Sequence, residues 1–381
     1  MKTVAIIGGT VHTVSRGTLR GATVLIRGGK IAAAGFRLPI PADAQRLDAR
    51  GLIITPGFLD CHSHLGLAAE ATGDAHMDKN EVSDPVSPHL RAIDGIDPED
   101  EGLADAVGAG ITSIIVTPGS EAVIGGQSAA IKTWGRVVDR MILRHPAGIK
   151  IAFGENPIQK NLPRQRPPST RMTVAGMIRE ALAKARDYME GNAGPGRNLR
   201  LEALQPVLRG EIPLRAHAHA AEDIMTAIRI AEEFNVGLTL EHATAGHKVA
   251  DEIARRNIPA VIGPSITARV KVELRDRTYD TPRILYEAGV KIALTTDHPI
   301  VPISSLRLEA GLAVRAGLPW PAAMRAVTLN AAEIMGVSDR LGSIEPGKDA
   351  DLVLYDGDPF AISSRPVAVI INGELVAGNR R

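Results

Sequence analysis

The sequence predicts an α/β protein: a (β/α)8 barrel over residues 56–340, with a small β-sandwich assembled from residues 1–55 and 341–381. Three observations predict it. Short, strongly apolar strands, about eight of them, alternate with helical stretches between residues 57 and 300. Glycine-punctuated β segments flank this region on both sides. Ionisable residues recur at the C-terminal ends of the apolar strands, where barrels of this kind carry their chemistry.

Residues 1–55 read as an antiparallel meander, VAIIGG, GATVLIR and KIAAAG, turning at Gly28-Gly29. Gly8-Gly9 lacks the Gly-x-Gly-x-x-Gly spacing and no helix follows, which excludes a dinucleotide fold. The turn Thr55-Pro56-Gly57 then opens the strand GFLDCHSH. If this run is a strand, Phe58, Asp60, His62 and His64 share one face. Two imidazoles about 6.6 Å apart along a strand can converge on one ion through bonds of about 2.0–2.1 Å. Taken alone, they fit a half-buried, hydrogen-bonded strand equally well. Leu67 to Asp97 is polar and includes His76 and His89. A loop this long either covers a substrate or is a solvated excursion.

DPEDEGLADAVGAG has an acidic first turn and a glycine stop, and so predicts a helix. ITSIIVTPG and IKIAFGEN predict strands, and the stretch after Gly125-Gly126-Gln127, with Lys132, has no clear assignment. A basic loop, NLPRQRPPSTR, precedes a helix over 172–190, the polar turn GNAGPGRN and a short helix. IPLRAHAH is a strand, followed by a helix with Ile224, Ala227, Ile228 and Ala231 on one face. VGLTLEHA, PAVIGPSI and VKIALTTDH are further strands separated by helices, and two or three helices run on to Met335. The tail returns to strands and hairpins. Gly342 to Lys348 approaches a phosphate loop, but Asp349 replaces the Ser or Thr and a strand follows, so the match is false.

Composition narrows the function. At 381 residues and 44% hydrophobic, the chain can bury a large core. A net charge of +1 and only 3% aromatics argue against nucleic acid as a partner. The lone Cys61 excludes an intramolecular disulfide and suits a reducing, cytoplasmic compartment. No apolar run reaches membrane-spanning length. A small-molecule substrate and a homo-oligomer are expected.

The strand ends carry His62 and His64, then Glu155, then His217 and His219, then His242, then Asp297. Ile151 and Phe153 share parity with Glu155 and should line the barrel, which turns Lys150 toward the helices. Seven such residues at five strand ends exceed what core packing explains, because unpaired polar groups are costly to bury. Imidazoles with carboxylates suit a divalent metal, zinc first and then manganese, iron or nickel. One ion would take His62, His64 and Asp297, and Glu155 could bridge to a second held by His217 and His242. A metal lowers the pKa of its water to about 7, and Asp297 would accept that proton and pass it to the leaving group.

The motifs TPGFLDCHSH, GENP, RAHAHAAED, LEHAT, TTDHP and EPGKDADLVLYDGDP together resemble the metal-dependent amidohydrolase superfamily, on its imidazolonepropionase-like side, over nearly the whole chain. The resemblance implies a distorted barrel, hydroxide held by one or two metals, and hydrolysis of a carbon–nitrogen bond in a small amide or cyclic amide. It implies His62, His64, His217, His242 and Asp297 as ligands, with Asp297 also catalytic. Many members use a carbamylated lysine at the bridging position. Here Glu155 is assigned to it, similar to the glutamate of the N-acetylglucosamine-6-phosphate deacetylases. A slip of two residues keeps a strand's inward face, so His219 is the alternative to His217. His219 and Glu222 also form a His-x-x-Glu pattern that resembles the imidazolonepropionase substrate-binding signature, which makes both candidate substrate contacts.

Arg269 and Lys271, in the loop PSITARVKVELRDR, stand just beyond the expected barrel mouth, and a basic segment, Arg164–Arg171, follows the fourth strand. They are candidate binders of a substrate carboxylate. The plain alternative is that they are solvated or pair with Glu273 and Asp276. Deamination, dipeptide cleavage or N-acyl amino acid deacylation would use the same site. A metal-free scaffold is disfavoured because every expected ligand is present.

Overall fold

The computed structural model describes residues 3–70, 73–192 and 196–378, so part of the turn GNAGPGRN lies outside the described residues. Its first strands are β1 (Thr3–His12), β2 (Thr18–Arg27), β3 (Lys30–Gly35), β4 (Gln45–Asp48) and β5 (Ile53–Pro56). The barrel strands follow: β6 (Phe58–Ser63), β7 (Ile111–Val116), β8 (Ile124–Lys132), β9 (Ile142–Ala152), β10 (Leu214–Ala218), β11 (Leu238–His242), β12 (Ala260–Ile262) and β13 (Ile292–Leu294). The tail adds β14 (Leu352–Tyr355), β15 (Pro366–Ile371) and β16 (Glu374–Gly378).

The two chain ends share one sheet, ordered β16-β15-β14-β5-β1-β2-β3 with β4 alongside β1. Its inner face is β-branched and leucine-rich, with Ile6, Val24, Ile26, Ile54, Leu352 and Ile370 buried together. The second sheet runs in sequence order from β6 to β13 and nearly closes. Seven of its strands run one way. The exception is β8, which is antiparallel to both β7 and β9. It fills the stretch that had no clear assignment in the sequence, and no covering helix is needed because a hairpin serves an antiparallel neighbour.

The seam between β13 and β6 is joined by Asp60. This fully buried carboxylate accepts from the Thr296 N–H at 3.0 Å, the Thr296 hydroxyl at 2.7 Å and the His62 N–H at 3.1 Å. Asp100 does similar work at the mouth, capping the helix Glu101–Gly108 through Gly102 N–H while accepting from Gly66 N–H at 2.8 Å. The loop after the His-x-His strand is thereby tied to the first barrel helix.

Strand parity places the core. Ile149, Ile151, Phe153, Ala216, Leu240 and Ile262 face outward and pack with Val174, Ile178 and Leu182 of helix Arg171–Met189 and with Ile224 and Ile228 of helix Ala221–Phe234. The latter helix stops at Asn235, whose φ of 53° is left-handed. No helix among the described residues is long and apolar enough to cross a membrane.

Candidate functional site

His62 of β6, His64 just after it and His242 of β11 meet Asp297, which follows β13, at the C-terminal mouth of the barrel, and His217 of β10 lies against His242 with ring centroids 4.6 Å apart. Nδ1 of His62 donates to Glu241 at 2.7 Å, that of His64 to the Thr117 carbonyl at 2.7 Å, and that of His242 to the Gly263 carbonyl at 2.8 Å. Carbonyl and carboxylate oxygens only accept, so these rings carry a proton on Nδ1. Burial pushes His64 down to about 4 and His242 down to about 3, so both are neutral at pH 7, with Nε2 bare.

The Nε2 atoms of His62 and His64 lie 3.4 and 3.3 Å from Asp297 Oδ1, an oxygen without a hydrogen-bond partner. The lone pairs of His62 and His64 therefore face one carboxylate oxygen, with Lys150 Nζ also 3.2 Å from His62 Nε2. A buried acceptor set of this composition suits a cation. The ligating atoms of His62, His242 and Asp297 lie within 4.8 Å of one another, as do those of His217, His219 and Glu273. In the second group Lys271 Nζ already stands 3.3 Å from Glu273 Oε2. His242 (φ 70°) and Asp297 (φ 54°) are left-handed. Such backbone costs about 1–3 kcal/mol per residue and clusters at functional sites.

Lys150 corrects the strand-four reading. It pairs in register with Arg215, the inward neighbour of His217, so it points into the barrel, with Nζ 3.2 Å from His62 Nε2. Burial pushes its ammonium down to about 8. The parity reading failed because Ile151 and Phe153 are apolar on the outward face, against the helices, while the interior at this level is polar. Glu155 is corrected with it. Strand β9 ends at Ala152, Gly154 (φ 81°) turns the chain, and Glu155 opens the helix Glu155–Asn161. Its carboxylate accepts from the Glu273 N–H and the Gln159 amide, each at 3.2 Å, and it joins neither ligand group.

Two expected substrate contacts are also displaced. Glu222 is exposed on the first turn of helix Ala221–Phe234, because the strand has already ended at Ala218. Arg269 spends its guanidinium on the Arg275 and Arg277 carbonyls, at 3.1 and 2.8 Å, closing its own loop. Lys271 and His219 do line the cavity at the mouth, which has a volume of about 250 Å³ and is also lined by Lys79, Asn156, Leu274 and Ile300. Lys79 and Asn80 bring the polar loop of residues 67–97 over the site. Lys271 Nζ donates to Asn156 Oδ1 at 2.9 Å, and His219 Nδ1 pairs with Thr244 Oγ1 at 2.8 Å. A second cavity of about 540 Å³ opens at the opposite end of the barrel, among Arg144, Glu211, Asn235 and Arg256, away from both ligand groups.

Sequence reading missed Arg215 and Glu241, and it placed Asp60 on the face of His62 and His64 without giving it a role. Arg215 was legible in principle, since it shares parity with His217. Glu241 and His242 are adjacent, and both reach inward because the left-handed backbone at His242 breaks the alternation.

The sequence pattern of the amidohydrolase family matches residues 53–376. The solved structure of an amidohydrolase from Thermotoga maritima superposes with a TM-score of 0.95 at 41% identity, covering 99% of this chain and 100% of that one. Imidazolonepropionase of Maricaulis maris is 28% identical over 95% of this chain and 94% of its own length. Amidohydrolase tasK of Hapsidospora irregularis is 30% identical over 92% of this chain, which spans only 39% of that longer protein.

Proposed function

Because the chain belongs to the amidohydrolase family, we propose that it is a metal-dependent hydrolase of a carbon–nitrogen bond in a small amide or cyclic amide. The observation that carries this reading is the convergence of bare imidazole nitrogens on the unpartnered Asp297 oxygen. His62, His64, His242 and Asp297 would hold a divalent cation, with zinc the first choice, and His217 and Lys150 would serve a second ion. Lys150 replaces Glu155 at the bridging position, where many relatives carry a carbamylated lysine. A cation there makes water a nucleophile at neutral pH by lowering its pKa to about 7, and polarises the substrate carbonyl.

The chain's own residues do the rest. Asp297 takes the proton of the attacking water and delivers it to the departing nitrogen. His219, fixed by Thr244, contacts the substrate from the β10 side. Lys271, held by Asn156 and Glu273, offers its ammonium to a substrate carboxylate. The cavity volume of about 250 Å³ suits a compact substrate such as an N-acyl amino acid, a dipeptide or a lactam.

The test begins with elemental analysis of the purified protein, followed by a screen of those amides with zinc, manganese or iron added. Stoichiometric metal and metal-dependent turnover are expected, and failure of both removes the proposal. Once a substrate is found, its methyl ester should react more slowly than the free acid, and Lys271→Met should narrow that gap. Equal rates for acid and ester in both proteins would remove the carboxylate contact alone.

A further inference from the structure

Arg215 lies fully buried inside the barrel, in register with Lys150 on β9 and Thr239 on β11. Its Nη2 donates to the Cys61 carbonyl at 2.6 Å and stands 2.9 Å from Glu241 Oε1. Glu241 is equally buried, and its Oε2 takes the Nδ1 proton of His62 at 2.7 Å. The arginine thus holds His62 from two sides, through the peptide before it and through the carboxylate that orients its ring. Gly148 makes the room, since a Cβ there would come within 2.7 Å of the Arg215 side chain.

Stability does not explain this ion pair. Desolvating both charges costs about as much as their attraction returns, and an apolar pair of similar volume is often as stable or more so. His64 and His242 are anchored by backbone carbonyls alone. His62 has a carboxylate instead, an acceptor that fixes the tautomer and strengthens the imidazole as a ligand.

We propose that Glu241, clamped by Arg215, is a positioning residue that keeps the His62 proton on Nδ1 and its Nε2 lone pair turned toward Asp297, and so sets how tightly the centre retains a divalent cation. The inference rests on the metal reading above. The experiment compares full-length wild type, Glu241→Gln and the double variant Arg215→Met/Glu241→Leu. Zinc affinity of the metal-stripped proteins is read by competition with a chromophoric chelator, stability by urea unfolding, and the His62 tautomer by long-range ¹⁵N correlation of histidine-labelled protein.

Glu241→Gln should bind zinc about 10–100-fold more weakly, and the His62 signals should change from a single Nδ1–H form to a mixture. The double variant removes both charges of the pair together and leaves Asp297 as the counter-charge of Lys150. It should still unfold cooperatively yet keep the weakened zinc binding and the mixed tautomer, and it decides alone if the single variant does not fold. Wild-type zinc affinity with a single tautomer in the double variant would overturn the inference. If wild type itself takes up no zinc, the metal reading falls, while the tautomer comparison still tests the role of Glu241.

Discussion

Asp297 has one oxygen turned to His62 and His64 and the other 4.0 Å from His242 Nδ1, and it also lines the cavity. Asp297→Asn keeps the shape and removes the base proposed above. Turnover should fall by about 10²–10⁴-fold, the usual worth of general acid–base catalysis, with far less change in KM. Steady-state kinetics showing near wild-type kcat would take Asp297 out of the mechanism. Lys150 and Glu155 make a paired prediction. Lys150→Ala should lower the bound metal measured by elemental analysis, whereas Glu155→Ala should leave it unchanged, because the Glu155 carboxylate is engaged by Glu273 and Gln159. The reverse result would restore the bridging glutamate. The histidines and Asp297 were legible because each sits in a short apolar run where a polar residue has no other reason to be. Lys150 was not, because the apolar Ile151 and Phe153 read as lining the barrel, whereas they pack outward against the helices and the polar face points in. Glu155 looked like a strand end because Gly154, which turns the chain ahead of the helix Glu155–Asn161, reads as part of the strand.

Helix Leu306–Arg315 acts on the site through Glu309, which is 3% exposed and accepts the Ser265 and Ile266 N–H groups at 2.8 and 3.0 Å. It thereby fixes the loop after β12, whose Gly263 carbonyl anchors His242. Burial pushes the Glu309 carboxyl up to about 7 from an ordinary 4.5, against the pull of those two N–H groups. The folded state therefore binds this proton more tightly than the unfolded one. Its contribution to stability is fully present below pH 4.5 and is lost as pH rises through 7. The span corresponds to about 3 kcal/mol. Glu309→Gln retains an acceptor oxygen for the loop and does not ionise. The stability of the variant relative to wild type, from urea unfolding, should rise between pH 5 and pH 8, and parallel pH curves for the two proteins would show that Glu309 does not titrate there. No periodicity in the sequence singles out this residue. Glu309 shares its face of the helix with buried Leu306, Ala310 and Ala313, and only the fold shows that a loop donates to it.

At the scale of the whole molecule, the alternation of strands and helices was readable because seven parallel strands need crossovers, and crossovers have helical periodicity. The antiparallel β8 was not, since its residues, IGGQSAAIK, carry two glycines and no helix to frame them. That strand turns out to tie the two sheets together. Lys132, its last residue, is 3% exposed and reaches Asp351 at 2.6 Å and Asp349 at 3.1 Å, and Asp349 also receives Lys30 and Arg340. Burial holds the Asp351 carboxyl above its usual range even though Lys132 opposes it. Lys132→Met removes the compensating cation and leaves that carboxylate buried, a loss typically worth about 3–5 kcal/mol. Protonation relieves an unpaired carboxylate, so the gap between variant and wild type should be widest at neutral pH and shrink as pH falls toward 4. Adding Asp351→Asn should recover most of the loss at pH 7. Metal content should not change, because Lys132 pairs with Ser113 toward the far end of the barrel from the ligand groups. Urea unfolding across that pH range decides the matter: a constant gap, or no recovery in the double variant, would mean that Lys132 contributes packing rather than charge to the junction.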